Sequence, residues 1–287
     1  MATKLHSFRY LYRMGKGYLF CFSVLALIIF ACKKEDSSFD ERQINIEFSQ
    51  ETSMANIFSA KIHQISRKEI QYIESIEELA LDETEEIKLH DSCAVISYFL
   101  DSNNAFVSYA EIIYNDTSCS YLGRKKFGKL KVYLTGALNK VGTRMTIIPE
   151  GFFLNGKKVE GTIIVNNIGL NDDFLFEWRK EVFDGKIWLN SSQYFTWNSN
   201  TFITLDFFHQ EMIYETEASL ISRNGRTYTI ETVEPLTSEF NCRYFQFGEL
   251  ELKSDWGLYQ RINFGYGDCD NKAILWQDSR EVEVNLH

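Results

Sequence analysis

The feature that most constrains this chain is alternation. From residue 91 onward, apolar and polar residues take turns in short runs, among them Lys129-Leu-Lys-Val-Tyr-Leu-Thr135, Arg144-Met-Thr-Ile-Ile148, Gly161-Thr-Ile-Ile-Val165 and Arg280-Glu-Val-Glu-Val-Asn-Leu286. Successive side chains of a strand point to opposite faces, so alternation implies strands with one face buried. Asn155-Gly156, Asp184-Gly185 and Asn224-Gly225 lie between such runs, where hairpin turns need positive φ. Roughly a dozen runs follow one another with no helical pattern between them. The expectation is a mainly β domain over residues 91–287, an antiparallel meander. Sandwich, open sheet and barrel all remain open.

Residues 47–80 change period. Met54, Ile57, Phe58, Ile62 and Ile65 recur at steps of three and four, and Ile70, Ile73, Ile76 and Leu79 at steps of three, which predicts a helix packed on the β domain. Ser66-Arg67-Lys68 is the expected break into two helices. Asp82-Glu-Thr-Glu-Glu86 reads as a solvated acidic connector, so residues 47–90 form a helical segment and connector.

The N-terminus carries four bases, Lys4, Arg9, Arg13 and Lys16, then an uncharged apolar run of 13 residues, Tyr18–Phe30. A membrane-spanning helix needs roughly 20 residues, so this run matches a signal-peptide core. It ends Phe30-Ala31-Cys32, which resembles the bacterial lipoprotein box. That resemblance implies cleavage after residue 31 and a fatty-acylated (palmitate-type) Cys32 as the new N-terminus. The charged stretch Lys33-Lys-Glu-Asp-Ser-Ser-Phe-Asp40 resembles the export signals of Bacteroidota surface lipoproteins, and residues 32–46 read as the lipidated tether. The expected location is the outer membrane, lipid-anchored and facing the cell surface. Cleavage leaves 26 of the 30 bases against 40 acids. So acidic a body is repelled by anionic lipid and by nucleic acid, and the lipid must do the anchoring.

Cys93, Cys119, Cys242 and Cys269 remain in an exported chain, which favours disulfides. Each interval, 93–119 and 242–269, holds two strand-like runs around a polar turn. A hairpin brings its open ends together, so the expected pairs are Cys93–Cys119 and Cys242–Cys269, each worth ~3–4 kcal/mol in the chain-entropy model. No C-x-x-C or close Cys/His spacing suggests zinc.

Gly123-Arg-Lys-Lys-Phe-Gly-Lys-Leu130, Phe153-Leu-Asn-Gly-Lys-Lys-Val-Glu-Gly-Thr162, Pro235-Leu236 with Cys242, and Asn263-Phe-Gly-Tyr-Gly-Asp-Cys-Asp-Asn271 together resemble a family of β-rich Bacteroidota lipoproteins, flavobacterial ones especially. The resemblance covers residues 91–287 and the lipid signal, and departs from the family at Tyr266. It implies an exported β-rich lipoprotein and no reaction.

Catalytic patterns are thin. His63, His90 and His209 fall in no H-E-x-x-H, and there is no G-x-S-x-G elbow or phosphate loop. Asp172-Asp173 reads as a loop. The expectation is a non-catalytic protein with no cofactor, binding a glycan or an envelope protein. A periplasm-facing assembly role and a lipocalin-like carrier of a small apolar ligand are the alternatives. Asp268, Asp270 and Asn271 are a weak calcium candidate, since oxygen ligands alternate there without the EF-hand pattern. Trp178, Trp188, Trp197, Trp256 and Trp276 suit a core, or a sugar-stacking platform wherever they face outward. Alternation puts Phe195 and Trp197 on one face and Tyr194 on the other.

Overall fold

The computed structural model describes residues 46–76, 86–88, 94–101, 106–115, 119–121, 124–242 and 244–286. One helix, α1 (Ile46–Ile76), precedes the strands. They are β1 (Glu86–Lys88), β2 (Ala94–Asp101), β3 (Phe106–Tyr114), β4 (Ser120–Tyr121), β5 (Arg124–Leu134), β6 (Arg144–Leu154), β7 (Lys157–Leu170) and β8 (Phe176–Trp188). Then come β9 (Tyr194–Asp206), β10 (Glu211–Ile221), β11 (Thr227–Glu239), β12 (Phe247–Ser254), β13 (Tyr259–Asn263), β14 (Lys272–Gln277) and β15 (Arg280–Asn285). All belong to one antiparallel meander in which each strand pairs with the next, except that β3 pairs β5 and the short β4 pairs only β5. The path runs from β1 to β15 without closing, which settles the open question in favour of an open sheet.

The sheet curls around α1. Contacts to this one helix come from Tyr114 on β3, Trp178 and Lys180 on β8, Tyr228 on β11 and Trp256 between β12 and β13. Strands so far apart in a meander reach one helix only if the sheet bends. Bulges break the register of several strand pairs, and an extra residue at a bulge kinks a strand and sharpens its twist. At Gly128 (φ +97°) a Cβ would lie 2.1 Å from the Gly151 carbonyl oxygen, so β5 and β6 approach there as bare backbone. Asp184-Gly185, expected as a hairpin turn, is such a bulge inside β8, with the register to β9 broken between Val182 and Gly185. Alternation continues on both sides of it, so pairing continues too. Gly185 faces the Trp197 ring, whose atoms would be 2.7 Å from an added Cβ. Asn155-Gly156 and Asn224-Gly225 do form turns, with Asn155, Gly156 and Gly225 at positive φ.

α1 is one helix of 31 residues; the break expected at Ser66-Arg67-Lys68 is absent. No glycine or proline interrupts it, and Ser66 and Glu69 are buried against the sheet. Between Phe48 and Ser59 every residue but Gln50 is buried, more than a one-faced amphipathic helix would bury. Ile62, Ile70 and Ile73 are fully enclosed, each contributing about 2 kcal/mol through removal from water. The inner faces of the strands complete the core, with Ile112, Leu130, Ile147, Phe195, Leu250 and Leu275 among them.

Because neighbouring strands alternate in direction, loops after β5, β7, β9, β11 and β13 gather at one end of the sheet. Those after β6, β8, β10, β12 and β14 gather at the other. Phe48 stacks on Tyr228 and Trp256 at 4.8 and 5.5 Å, and buried Glu51 accepts from Arg223 Nε at 2.6 Å. Burial pushes the Glu51 carboxyl up and the Arg223 contact offsets part of that. The chain therefore enters α1 at the second end. The helix finishes toward the first, where the Leu138 amide donates to Glu74 at 3.4 Å. We call these the entry end and the aromatic end.

Candidate functional site

Most residues singled out by sequence are accounted for by structure. Cys242 and Cys269 are bonded across the open ends of the β12–β13 hairpin, with Cα atoms 5.7 Å apart. Cys119 is also disulfide-bonded; Cys93, its expected partner, lies outside the described residues, as do Cys32 and His90. Asp270 Oδ1 accepts from the Lys272 amide, Asn271 Nδ2 donates to the Leu286 carbonyl, and Asp268 is exposed. Asp270 and Asn271 are thus engaged with the backbone, and no cluster of three metal-ligating side chains occurs among the described residues. Asp172 and Asp173 are exposed between β7 and β8.

Of the described histidines, one is buried and one is exposed. His63 is buried edge-on to Trp178. Burial first, then the charges of Lys180 and Arg67, lower its pKa to about 3. Lys180, itself lowered to about 8 by burial, donates to Ser59 Oγ at 3.0 Å. This cluster belongs to a polar seam. Ser49, Thr52, Asn56, Ser59, His63 and Ser66 recur along α1 at alternating steps of three and four, all buried. Across the inner face Lys180 pairs with Thr201, and Thr201 with Thr216, whose hydroxyls are 2.6 Å apart. His209 is exposed and bonded to Asp206.

The tryptophans divide. Trp178 and Trp197 are spent on packing and Trp256 on Phe48, with Phe195 and Trp197 sharing the inner face as expected. Trp188 and Trp276 are on the outer face. Trp188 closes β8 and Tyr194 opens β9 opposite it, their rings 4.9 Å apart. Lys186 Nζ lies 3.8 Å above Tyr194 and 4.3 Å above Trp188, geometry in which the ring quadrupole holds the cation. Lys158 and Lys186 flank Glu160 at 2.5 and 4.0 Å. Burial raises the Glu160 carboxyl, but the contacts from Lys158 and Trp188, with the charges of Lys158 and Lys186, outweigh it and its pKa is lowered. The platform borders a groove of about 380 Å³ lined by Phe153, Lys158, Trp188, Asn190 and Ser191. Asn190 Oδ1 fixes the rim by accepting from the amides of Ser192 and Gln193.

A second groove, of about 430 Å³, lies between β13 and the β14–β15 turn. Tyr259 and Trp276 flank Arg261, which is held at 2.9 Å by Glu249. Trp276 is 41% exposed, and Arg280 stands beside it. Both grooves lie on the outer face at the entry end. They combine flat aromatic rings with cations and small polar groups, a surface on which a sugar ring can lay its C–H face while its hydroxyls find donors and acceptors. The lysines that complete the Trp188 platform escape sequence reasoning because the cross-strand register brings them there.

Comparison with protein-family models, curated proteins and solved structures returns no match.

Proposed function

We propose that this chain is an exported lipoprotein, acylated at Cys32 and held at the outer membrane, whose body binds a glycan without catalysing a reaction on it. The observation that carries the reading is the Trp188–Tyr194–Lys186 platform, an outward aromatic pair capped by a cation beside an open groove. The core does not need it, since Phe195 and Trp197 already fill the inner face at the same level. A carrier of apolar ligands is less favoured, because α1 occupies the inside of the curl.

The reading is tested with the full-length protein in detergent on an array of bacterial, plant and host glycans. At least one glycan should bind, and Trp188→Ala should weaken it about tenfold, consistent with loss of ~1–1.5 kcal/mol of stacking. Binding unaltered by that change, or absent throughout, refutes the site. Anchoring has its own readout: Cys32→Ala should abolish fatty-acid labelling and free the protein from membranes, and retained label would remove the lipoprotein reading.

A further inference from the structure

Among the described residues, the most exposed aromatic side chains lie in three loops of the aromatic end. Phe174 (between β7 and β8) is 79% exposed, Phe208 (between β9 and β10) 89%, and Tyr266 (between β13 and β14) 85%. Phe207, next to Phe208 in the same loop, belongs to a ring cluster. Phe176 and Phe240 both pack edge-on against Phe207 at 5.7 Å, and all three rings remain about half exposed. An exposed three-ring cluster, with further exposed rings in the loops at the same end, marks an interaction site.

The loops are built to hold these rings outward. Asn171 Oδ1 accepts from the amides of Asp173 and Leu175, and Phe174 between them sits at φ +60°, a left-handed conformation that a bulky residue adopts only when its surroundings enforce it. Asp206 Oδ1 accepts from the amides of Phe208 and His209, and the Phe240 amide donates to the Gln210 carbonyl. The Cys242–Cys269 disulfide fastens the β11–β12 loop to the β13–β14 loop. Rings fixed before contact lose little entropy on binding.

The rim is acidic. Asp172, Asp173, Glu239 and Asp268 are exposed around the rings, and none has a cationic partner among the described residues. Lys61 (in a pocket with Ser238 and Cys242), Lys140, the exposed Arg144 and the Asp206-bound His209 are described bases at this end, with Lys272 engaged by Glu283; Arg243 lies outside the described residues. An anionic bilayer would repel this rim, and membrane-inserting surfaces carry lysine and arginine instead. Phenylalanine offers a sugar no hydrogen bond. The chain enters α1 at the opposite end, and strands of 13 residues separate the two ends by roughly 40 Å.

We propose that the aromatic end is a docking surface for a protein partner that presents an apolar segment bordered by lysine or arginine. This is independent of the glycan reading. Apolar burial would supply the affinity, and the carboxylates would supply orientation and salt dependence.

The test uses the full-length protein in neutral detergent with three probes: a helical Lys/Leu peptide, a Lys/Ser peptide of equal charge, and vesicles of neutral or anionic lipid. The Lys/Leu peptide should bind, with affinity falling at least tenfold in Phe174→Ser/Phe208→Ser and severalfold in Asp172→Asn/Asp173→Asn. The Lys/Ser peptide should not respond to the phenylalanine changes. Side chains this exposed can be replaced without unfolding, which an unchanged Tm will confirm; Phe208→Ser alone serves if the double variant fails to fold. Failure of the Lys/Leu peptide to bind, or binding indifferent to both pairs, overturns the proposal. So does phenylalanine-dependent binding to vesicles, which would make the surface a lipid contact, or phenylalanine-dependent self-association, which would make the partner a second copy.

Discussion

The two ends of the curled sheet solve the same connection problem differently. At the entry end the turns are short and four of the five are polar, Asn155-Gly156, Asn190–Gln193, Arg223–Arg226 and Asp278-Ser279, while the fifth, between β12 and β13, lends Trp256 to Phe48. Those four use residues that tight turns call for, with hydrophobic anchoring supplied beneath them by Phe48 on Tyr228 and Trp256. At the aromatic end the loops are mostly longer and carry phenylalanine that no turn requires. A sheet able to turn on Asn-Gly at one end has no folding need to expose Phe208 at the other. Departure from the minimal connection, with the backbone strained at Phe174 to maintain it, separates a surface kept for contact from one kept for folding.

The sharpest way to break this comparison is to truncate one ring at each end. Phe48→Ala removes a buried ring from the helix entry and should lower unfolding free energy by about 3–5 kcal/mol. Phe208→Ala should change it by less than about 0.5 kcal/mol. Urea titrations followed by far-ultraviolet dichroism measure both. A loss at Phe208 as large as that at Phe48 would make the aromatic end structural and dissolve the distinction.

Much of this architecture is legible in the residues. The alternation of Lys129–Thr135 and Arg280–Leu286 fixes strand character, Asn155-Gly156 and Asn224-Gly225 fix two hairpins, and the spacing of Cys242 and Cys269 identifies their bond. Asp184-Gly185 misleads because the same dipeptide serves a turn and a bulge, and the partner strand decides which. Here β7 and β9 pair with β8 on both sides of it. The unbroken helix is hidden because Ser66 and His63, polar by type, face a sheet interior that carries Lys180 and the Thr201–Thr216 pair. Outward rows depend on register across several strands, so the Trp188 platform cannot be assembled from local pattern. The one signal for the aromatic end is Asp206-Phe-Phe-His-Gln210, two rings in succession where alternation stops.

The ends also differ in covalent restraint. Cys242–Cys269 closes an interval of 27 residues at the aromatic end, while the described entry-end turns rely on hydrogen bonds. Replacing both cysteines by serine should destabilise the protein by about 3–4 kcal/mol, near the lower half of the Phe48 effect. Hydrogen exchange locates the consequence. Amides of the β11–β12 and β13–β14 loops should exchange faster, and those of residues 222–226 should not. Uniform acceleration across both ends would show that the bond restrains the whole sheet and not its aromatic end.

The smallest effect concerns charge. His209 donates to Asp206 at 2.7 Å, and the hydrogen bond and charge of that carboxylate raise the imidazole pKa above its ordinary 6.5 while the carboxyl is lowered. No histidine is described in the entry-end turns. For a base whose pKa is raised on folding, the stabilising contact is complete below 6.5 and is lost as pH climbs through the folded value. The aromatic end therefore becomes more negative as pH rises through the raised His209 value, and the entry end does not change with it. Imidazole resonances should titrate above 6.5, and Asp206→Asn should return them toward that value. A His209 pKa at or below 6.5 in the native protein would remove the pair, and with it the difference in how the two ends answer pH, because an unperturbed ring would already be neutral where the acidic rim is expected to strengthen.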